Sequence, residues 1–207
     1  ELGLAQGLGH EVPADAALLL VLGPRRPLML AETDSLLRYF DRKGRLLVAL
    51  DPESDDSAAA LLDGLSLRFN ATTLANDQIY WTRTRQKTDR VGIATGSYSS
   101  HASTATLSQF GLRLPLVLLG AGSLARPDKP SPDAPSVSFV VHAEASTWTD
   151  LNGNFEFDGG KEARKAYELV AAVSKGATPE AEGRAVVLAD SDALADELVV
   201  NRANSLL

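Results

Sequence analysis

Residues 15–52, DAALLLVLGPRRPLMLAETDSLLRYFDRKGRLLVALDP, read in order as a strand, a turn, a helix and a second strand. Residues 17–22 are an unbroken apolar run of strand length stopped by Gly23 and Pro24, and residues 45–50 are a second strand-length run, apolar after Arg45, stopped by Asp51 and Pro52. Such runs suit strands buried on both faces of a parallel sheet. Between them Leu36, Leu37 and Phe40 recur at helical spacing with Arg38, Asp41 and Arg42 turned outward. Glu32 and Asp34 put negative charge near the helix start, and Gly44 is a C-terminal stop. A strand, crossover helix and parallel strand make a βαβ unit, so the expected fold class is α/β, with an open, mostly parallel sheet flanked by helices.

Outward from this unit, residues 1–9 resemble the tail of a helix, and the abrupt start ELGLAQGLGHEV reads as the middle of a fold. Residues 57–65 are a second helix, with Asp55, Asp56 or Ser57 as caps. The polar, Thr/Ser-rich region 70–108 is expected to leave the sheet as a β-rich insert, with TRTRQKT at 82–88 an exposed strand by its alternation and 97–108 a loop. Residues 113–119 are another buried strand, 126–135 a proline-rich surface connector, and 136–142 a β-rich run. Residues 167–173 suit a helix by propensity and a strand by pattern. Residues 184–189 are a buried strand leading to Asp190, Ser191 and Asp192, then a helix over 193–200 that Asp190 or Ser191 caps. The whole of 1–207 reads as one domain.

The 207 residues carry a net charge of −7, which opposes a nucleic-acid backbone as partner, since phosphate binding needs clustered Lys and Arg. Arg83, Arg85, Lys87 and Arg90 read instead as a solvated strand face. Aromatic residues are only 6 % of the chain, leaving the core to aliphatic side chains. The absence of cysteine removes disulfides, thiol nucleophiles and cysteine-ligated zinc. No apolar run approaches the roughly 20 residues that span a bilayer.

Four turns, GPRRP, DPESD, GAGS and DSD, close predicted strands. In an open α/β sheet the carboxyl ends of strands line the ligand crevice, so Arg25, Arg26, Asp51, Asp190, Ser191 and Asp192 are the candidate binding rim. Turn chemistry alone also accounts for these residue types. Ser191 sits where α/β hydrolases place a nucleophile, but its aspartate flanks oppose a developing oxyanion, and only His10, His101 and His142 are available as imidazole bases. The glycine clusters lack a dinucleotide fingerprint, and there is no P-loop. Asp150, Asn152, Asn154 and Asp158, followed by Glu162, match the alternate oxygen-bearing positions that open a calcium loop. Phe155 stands where that loop has glycine, and Glu162 is one residue late for the closing acid. The competing reading is a turn held by side-chain to backbone hydrogen bonds.

Several stretches resemble a known family. HEVPADAALLLVLGPRRPL, LLRYFDRKGRLLVALDP and the closing GRAVVLADSDALADELVVNRANSLL are similar, in that order, to strands, turns and tail of the extracytoplasmic domain of GldG-like auxiliary proteins of ABC transporters. Residues 101–108 resemble the family's His-Pro-like loop, with Ala102 in place of the proline. The resemblance implies a three-layer sandwich similar to glutamine-amidotransferase-like or flavodoxin-like folds, and a longer membrane protein whose flanking segments anchor it. It also implies an extracytoplasmic, periplasmic position, ABC permease and ATPase subunits as partners, and a link to gliding motility. It implies no catalysis, because amidotransfer needs a cysteine nucleophile. The expected function is therefore a non-catalytic binding domain without a cofactor, the alternatives being a degenerate hydrolase or a calcium-stabilised envelope module.

Overall fold

The computed structural model describes residues 7–54, 56–176, 178 and 181–206. Most of the expected N-terminal helix tail and the cap Asp55 lie outside these residues. In chain order the elements are β1 (Leu19–Leu22), α1 (Leu30–Asp41), β2 (Arg45–Ala49), α2 (Ala59–Gly64), β3 (Arg68–Asn70), β4 (Leu74–Ala75), β5 (Gly92–Thr95) and β6 (Ser97–Tyr98). They continue as α3 (Ala105–Ser108), β7 (Leu116–Leu119), β8 (Ser123–Ala125), β9 (Ser136–His142), β10 (Trp148–Thr149), β11 (Glu168–Lys175), β12 (Gly183–Leu188) and α4 (Asp196–Val199).

The βαβ unit is present. β1 and β2 pair in parallel, and α1 crosses between them. The helix opens where the Met29 N–H donates to Glu32 Oε2 at 3.0 Å. It closes as Lys43 takes a left-handed φ of 70° and the Gly44 N–H bonds Tyr39 O at 2.9 Å. Gly44 is required by crowding, because a Cβ there would stand 2.4 Å from that same carbonyl oxygen.

The expectation of a mostly parallel, flavodoxin-like or glutamine-amidotransferase-like sandwich does not hold. Only the edge β1-β2-β12 is parallel. β12 continues antiparallel into β11, which pairs antiparallel with both β8 and β9, and these in turn hold β3 and β6. Two small antiparallel pairs, β4 with β10 and β5 with β7, complete a predominantly β, mixed architecture. The physical reason lies in residues 136–188, where a short connection returns β12 beside β11 and the longer segment between β9 and β11 contains no crossover helix, so the β-rich runs pair as antiparallel neighbours.

The two longest helices share one face. Leu36 and Phe40 of α1 and Leu61 and Leu62 of α2 pack on Leu46, Val48, Ala171, Val173, Ala185 and Val187. The opposite face is covered by strands: Ile93, Leu116 and Leu118 pack on Ala49, Val141, Val170 and Leu188. β1 is consequently an edge strand, not one buried on both faces, and Leu18, Leu20 and Leu22 are 51 %, 55 % and 49 % exposed.

Other expectations change with this layout. The ambiguous run 167–173 lies mostly in strand β11, where its β-branched residues face both cores. Residues 82–88 are not a strand. They wrap the buried Asp89, whose carboxylate accepts the Arg83, Thr84 and Arg85 N–H groups at 2.9, 2.8 and 2.7 Å, with Arg85 at φ 63°. The second helix starts at an Ala58 cap without a side-chain bond, and the expected helix 193–200 shrinks to a 3-10 turn and the four-residue α4.

Candidate functional site

The three parallel strands end side by side, and the turns that leave them form one rim. The Gly23 N–H donates to Ala49 O at 2.9 Å, the Leu50 N–H to Leu188 O at 3.0 Å and the Gly122 N–H to Ala189 O at 3.0 Å. The GPRRP, DPESD, DSD and GAGS turns thus converge, although β7 and β8 around GAGS are antiparallel elements.

At the centre, Asp51 and Ser191 are locked together across 140 residues. The Ser191 N–H donates to Asp51 Oδ1 at 2.8 Å, and the Ser191 hydroxyl donates to Asp51 Oδ2 at 2.5 Å. Gly23 closes over this pair at a left-handed φ of 48°, where a Cβ would lie 2.9 Å from both Asp51 Oδ2 and Ser191 Oγ. Any side chain at position 23 would therefore meet both backbone strain and the carboxylate-hydroxyl pair.

Asp190 sits beneath them, 1 % exposed. It accepts the Leu119 N–H at 2.7 Å and the Asp192 N–H at 3.0 Å, the latter a bond within the DSD turn; the expected capping by Asp190 or Ser191 does not occur, because neither the Ser191 cap of the 3-10 turn nor the Ala195 cap of α4 makes a side-chain cap bond. Burial pushes its carboxyl up to about 8, with repulsion from Asp192 and Asp51 acting the same way against the two backbone donors. Asp192 is exposed, and its carboxyl is raised first by partial desolvation and then by Asp51, Glu197 and Glu53, while Arg25 opposes the rise. Arg25 and Arg26 stand exposed on the turn after β1, without a hydrogen bond or ion pair among the described residues.

The C-terminal tail braces this rim from behind, through residues that sequence reading named only as an Asn-containing tail. Asn204, 2 % exposed, accepts the Val117 N–H at 3.1 Å and donates to Val117 O at 2.7 Å and Ala193 O at 3.0 Å. Its side-chain amide imitates a strand partner for β7.

Ser191, disfavoured as a nucleophile by its aspartate flanks, sits in surroundings different from those of a triad serine. The Ser191 hydroxyl donates to a carboxylate, and the imidazoles of His101 and His142 are engaged elsewhere, by Ser103 at 2.8 Å and by Glu168 at 2.6 Å.

The candidate calcium residues lie apart from the rim, in a loop beside Trp148. Asp150 accepts the Gly153 and Phe155 N–H groups at 2.9 and 2.8 Å, and Glu162 accepts those of Leu151 and Asp158 at 3.0 and 2.8 Å. The side amides of Asn152 and Asn154 both donate to Asp158 Oδ2, at 2.6 and 3.2 Å. These are the bonds of a self-satisfied turn, and among the described residues no three His, Cys, Asp or Glu side chains form a group able to hold a metal ion.

Sequence reading missed the cluster that anchors this loop. Arg164 pairs with Asp77 through two 2.8 Å bonds and lies over the rings of Trp148 and Phe157 at 4.8 and 4.3 Å. The guanidinium holds the Asp77 carboxyl below the usual carboxylate range. The available signal was a tryptophan in an aromatic-poor chain just ahead of the loop, with an arginine just after it.

No family model matches the chain, and no curated protein does. Among solved structures the chain is similar to one described as the mmIFT52 N-terminal domain, at 15 % identity and a TM-score of 0.65, over 93 % of this chain and 74 % of that one. At that identity the likeness concerns the fold alone, and it agrees with the mixed sheet in place of the parallel sandwich.

Proposed function

We propose that this chain is a non-catalytic binding domain, the extracytoplasmic part of a GldG-like auxiliary protein of an ABC transporter, and that its rim contacts a permease or ATPase-associated partner subunit. The observation that carries the reading is the Asp51–Ser191 lock under Gly23. It occupies internally the groups that would do chemistry, and it holds Arg25, Arg26 and Asp192 outward in a preformed, charged edge. Preorganised charge of mixed sign is suited to steering and registering a protein partner. Among the described residues no helix is long and apolar enough to cross a membrane, so in this reading the anchor belongs to segments flanking the domain.

The test uses the full-length protein in its native membranes. Arg25→Glu combined with Asp192→Lys should lower co-purification of the permease and ATPase by about tenfold, the effect of roughly 1.4 kcal/mol at an interface. The variant should keep the wild-type circular dichroism spectrum, because both side chains are exposed. Undiminished co-purification by a folded variant would reject the rim as the contact.

A second reading, a calcium-stabilised envelope module, is favoured by one backbone feature. Phe155 takes a φ of 60° at the sixth position from Asp150, where calcium loops place glycine for a sharp turn, and Asp150 gathers the N–H groups inside that turn. Binding would require the Asn152 and Asn154 amides to release Asp158 and turn their oxygens inward. In this reading millimolar calcium at about 100 times Kd raises the melting temperature by about 5–10 °C. Asp158→Asn abolishes the rise with little loss of calcium-free stability. No shift for the wild-type protein would remove calcium from consideration.

A further inference from the structure

The two ends of the main sheet are finished differently. β3 at one end is three residues long and carries Arg68, a charge that discourages further pairing. β1 at the other end is Leu19–Leu22, LLVL, with neither a charge nor a proline within it. Its only partner among the described residues is β2. The outer edge thus offers unpaired backbone groups.

That edge is also apolar on one face. Leu18, Leu20 and Leu22 alternate to the side away from α1 and α2, each about half exposed. Leu20 continues in register through Leu47 and Val186 to Ala172, all only partly buried. An apolar row therefore crosses four strands and ends, uncovered, at β1.

The strand is bracketed by opposite charges. Asp15 precedes it and Arg25 follows it, both exposed and neither in an ion pair or hydrogen bond among the described residues. A two-fold antiparallel arrangement centred on Leu20 sets the Asp15 end of each copy beside the Arg25 end of the other. It brings Leu18 opposite Leu22 and Leu20 opposite itself. A parallel arrangement would set like charge beside like charge, and a one-residue slip would break the symmetry of the leucine face.

We infer that two copies of this chain associate through β1, edge to edge and antiparallel, joining their main sheets across a Leu18, Leu20 and Leu22 seam closed at both ends by Asp15–Arg25 pairs. The contact is isologous, so it closes at a dimer. A four-residue strand makes a small interface, which places the dissociation constant in the micromolar range. This contact shares Arg25 with the proposed transporter-facing rim, but its leucine seam lies outside that rim and is read out on the purified chain without a transporter subunit.

Sedimentation equilibrium of the purified chain up to about 100 μM tests it. The expected mass rises with concentration toward twice the 21.9 kDa of the chain. Leu20→Glu, a change at a half-exposed position, raises the dissociation constant by at least tenfold while leaving the melting curve in place. Asp15→Arg and Arg25→Asp each weaken association, and the Asp15→Arg, Arg25→Asp double variant restores it. A wild-type chain that stays monomeric at the highest concentration overturns the inference, and so does a dimer indifferent to Leu20→Glu. Failure of the charge swap to restore association overturns the antiparallel register. A strand from another protein captured on β1 of a strictly monomeric chain would assign the edge to that partner instead.

Discussion

Raising the pH from about 4 to 9 should destabilise this protein relative to its Asp190→Asn variant by a few kcal/mol, with the two stability curves crossing in between. The sign follows from where the proton sits. Asp190 has its carboxyl raised from an ordinary 3.8 to about 8 in the folded chain, so between those values the native state holds a proton that the unfolded state releases. Its contribution is fully present below pH 4, is lost progressively as pH rises, and is gone above about pH 8. One pKa unit corresponds to about 1.4 kcal/mol, which sets the scale of the slope. The variant cannot ionise. Its amide oxygen takes over the Leu119 N–H, but its NH2 then faces the Asp192 N–H and loses that bond, a cost of about 1 kcal/mol. Asp190→Asn should therefore be the less stable protein at pH 4 and the more stable at pH 9. Urea unfolding at intervals across this range measures the difference directly, and a difference independent of pH would show that Asp190 ionises normally.

Replacing Trp148 by alanine should cost about 3–5 kcal/mol, the range for emptying a fully buried aromatic site. Trp148 is 0 % exposed and meets Phe157 edge to face at 5.8 Å. Arg164 lies over both rings while paired with Asp77, so the substitution also opens the apolar floor beneath a half-buried ion pair. At 207 residues that loss lowers the melting temperature by roughly 10–15 °C. Trp148→Phe is the informative companion. The indole Nε1 has no protein acceptor among the described residues, so phenylalanine keeps a ring under Arg164 without giving up a hydrogen bond. It should cost about half as much or less. Equal losses for the two variants in thermal unfolding would mean that the indole itself, not an aromatic surface, organises the loop.

Both predictions rest on groups that were unevenly legible in the chain. Asp51, Ser191 and Asp190 were visible because each follows an apolar run at a turn, and strand ends gather their turns. Their individual roles were not. As helix caps Asp190 and Ser191 are interchangeable in the sequence, whereas in the fold neither side chain caps a helix: Asp190 accepts the Asp192 N–H within its own turn and Ser191 turns to Asp51, 140 residues away. Trp148, Phe157, Asp77 and Arg164 carry only the faint signal of a tryptophan and an arginine flanking one loop, because the contact joins positions up to 87 residues apart.

What the chain determined by itself is local. The helix α1 between β1 and β2, the stop at Gly44 and the turns at Gly23, Asp51 and Asp190 follow from periodicity, crowding and turn chemistry within a few residues. The tertiary structure alone decided strand direction and partner. An apolar run such as 185–189 is equally suited to a parallel or an antiparallel neighbour, and only the pairing of β12 with β2 on one side and β11 on the other made it the hinge between the two halves of a mixed sheet. The same distinction explains β1. Its composition reads as a strand buried on both sides, but burial depends on what arrives from elsewhere, and on that face of the edge no element of the described chain does.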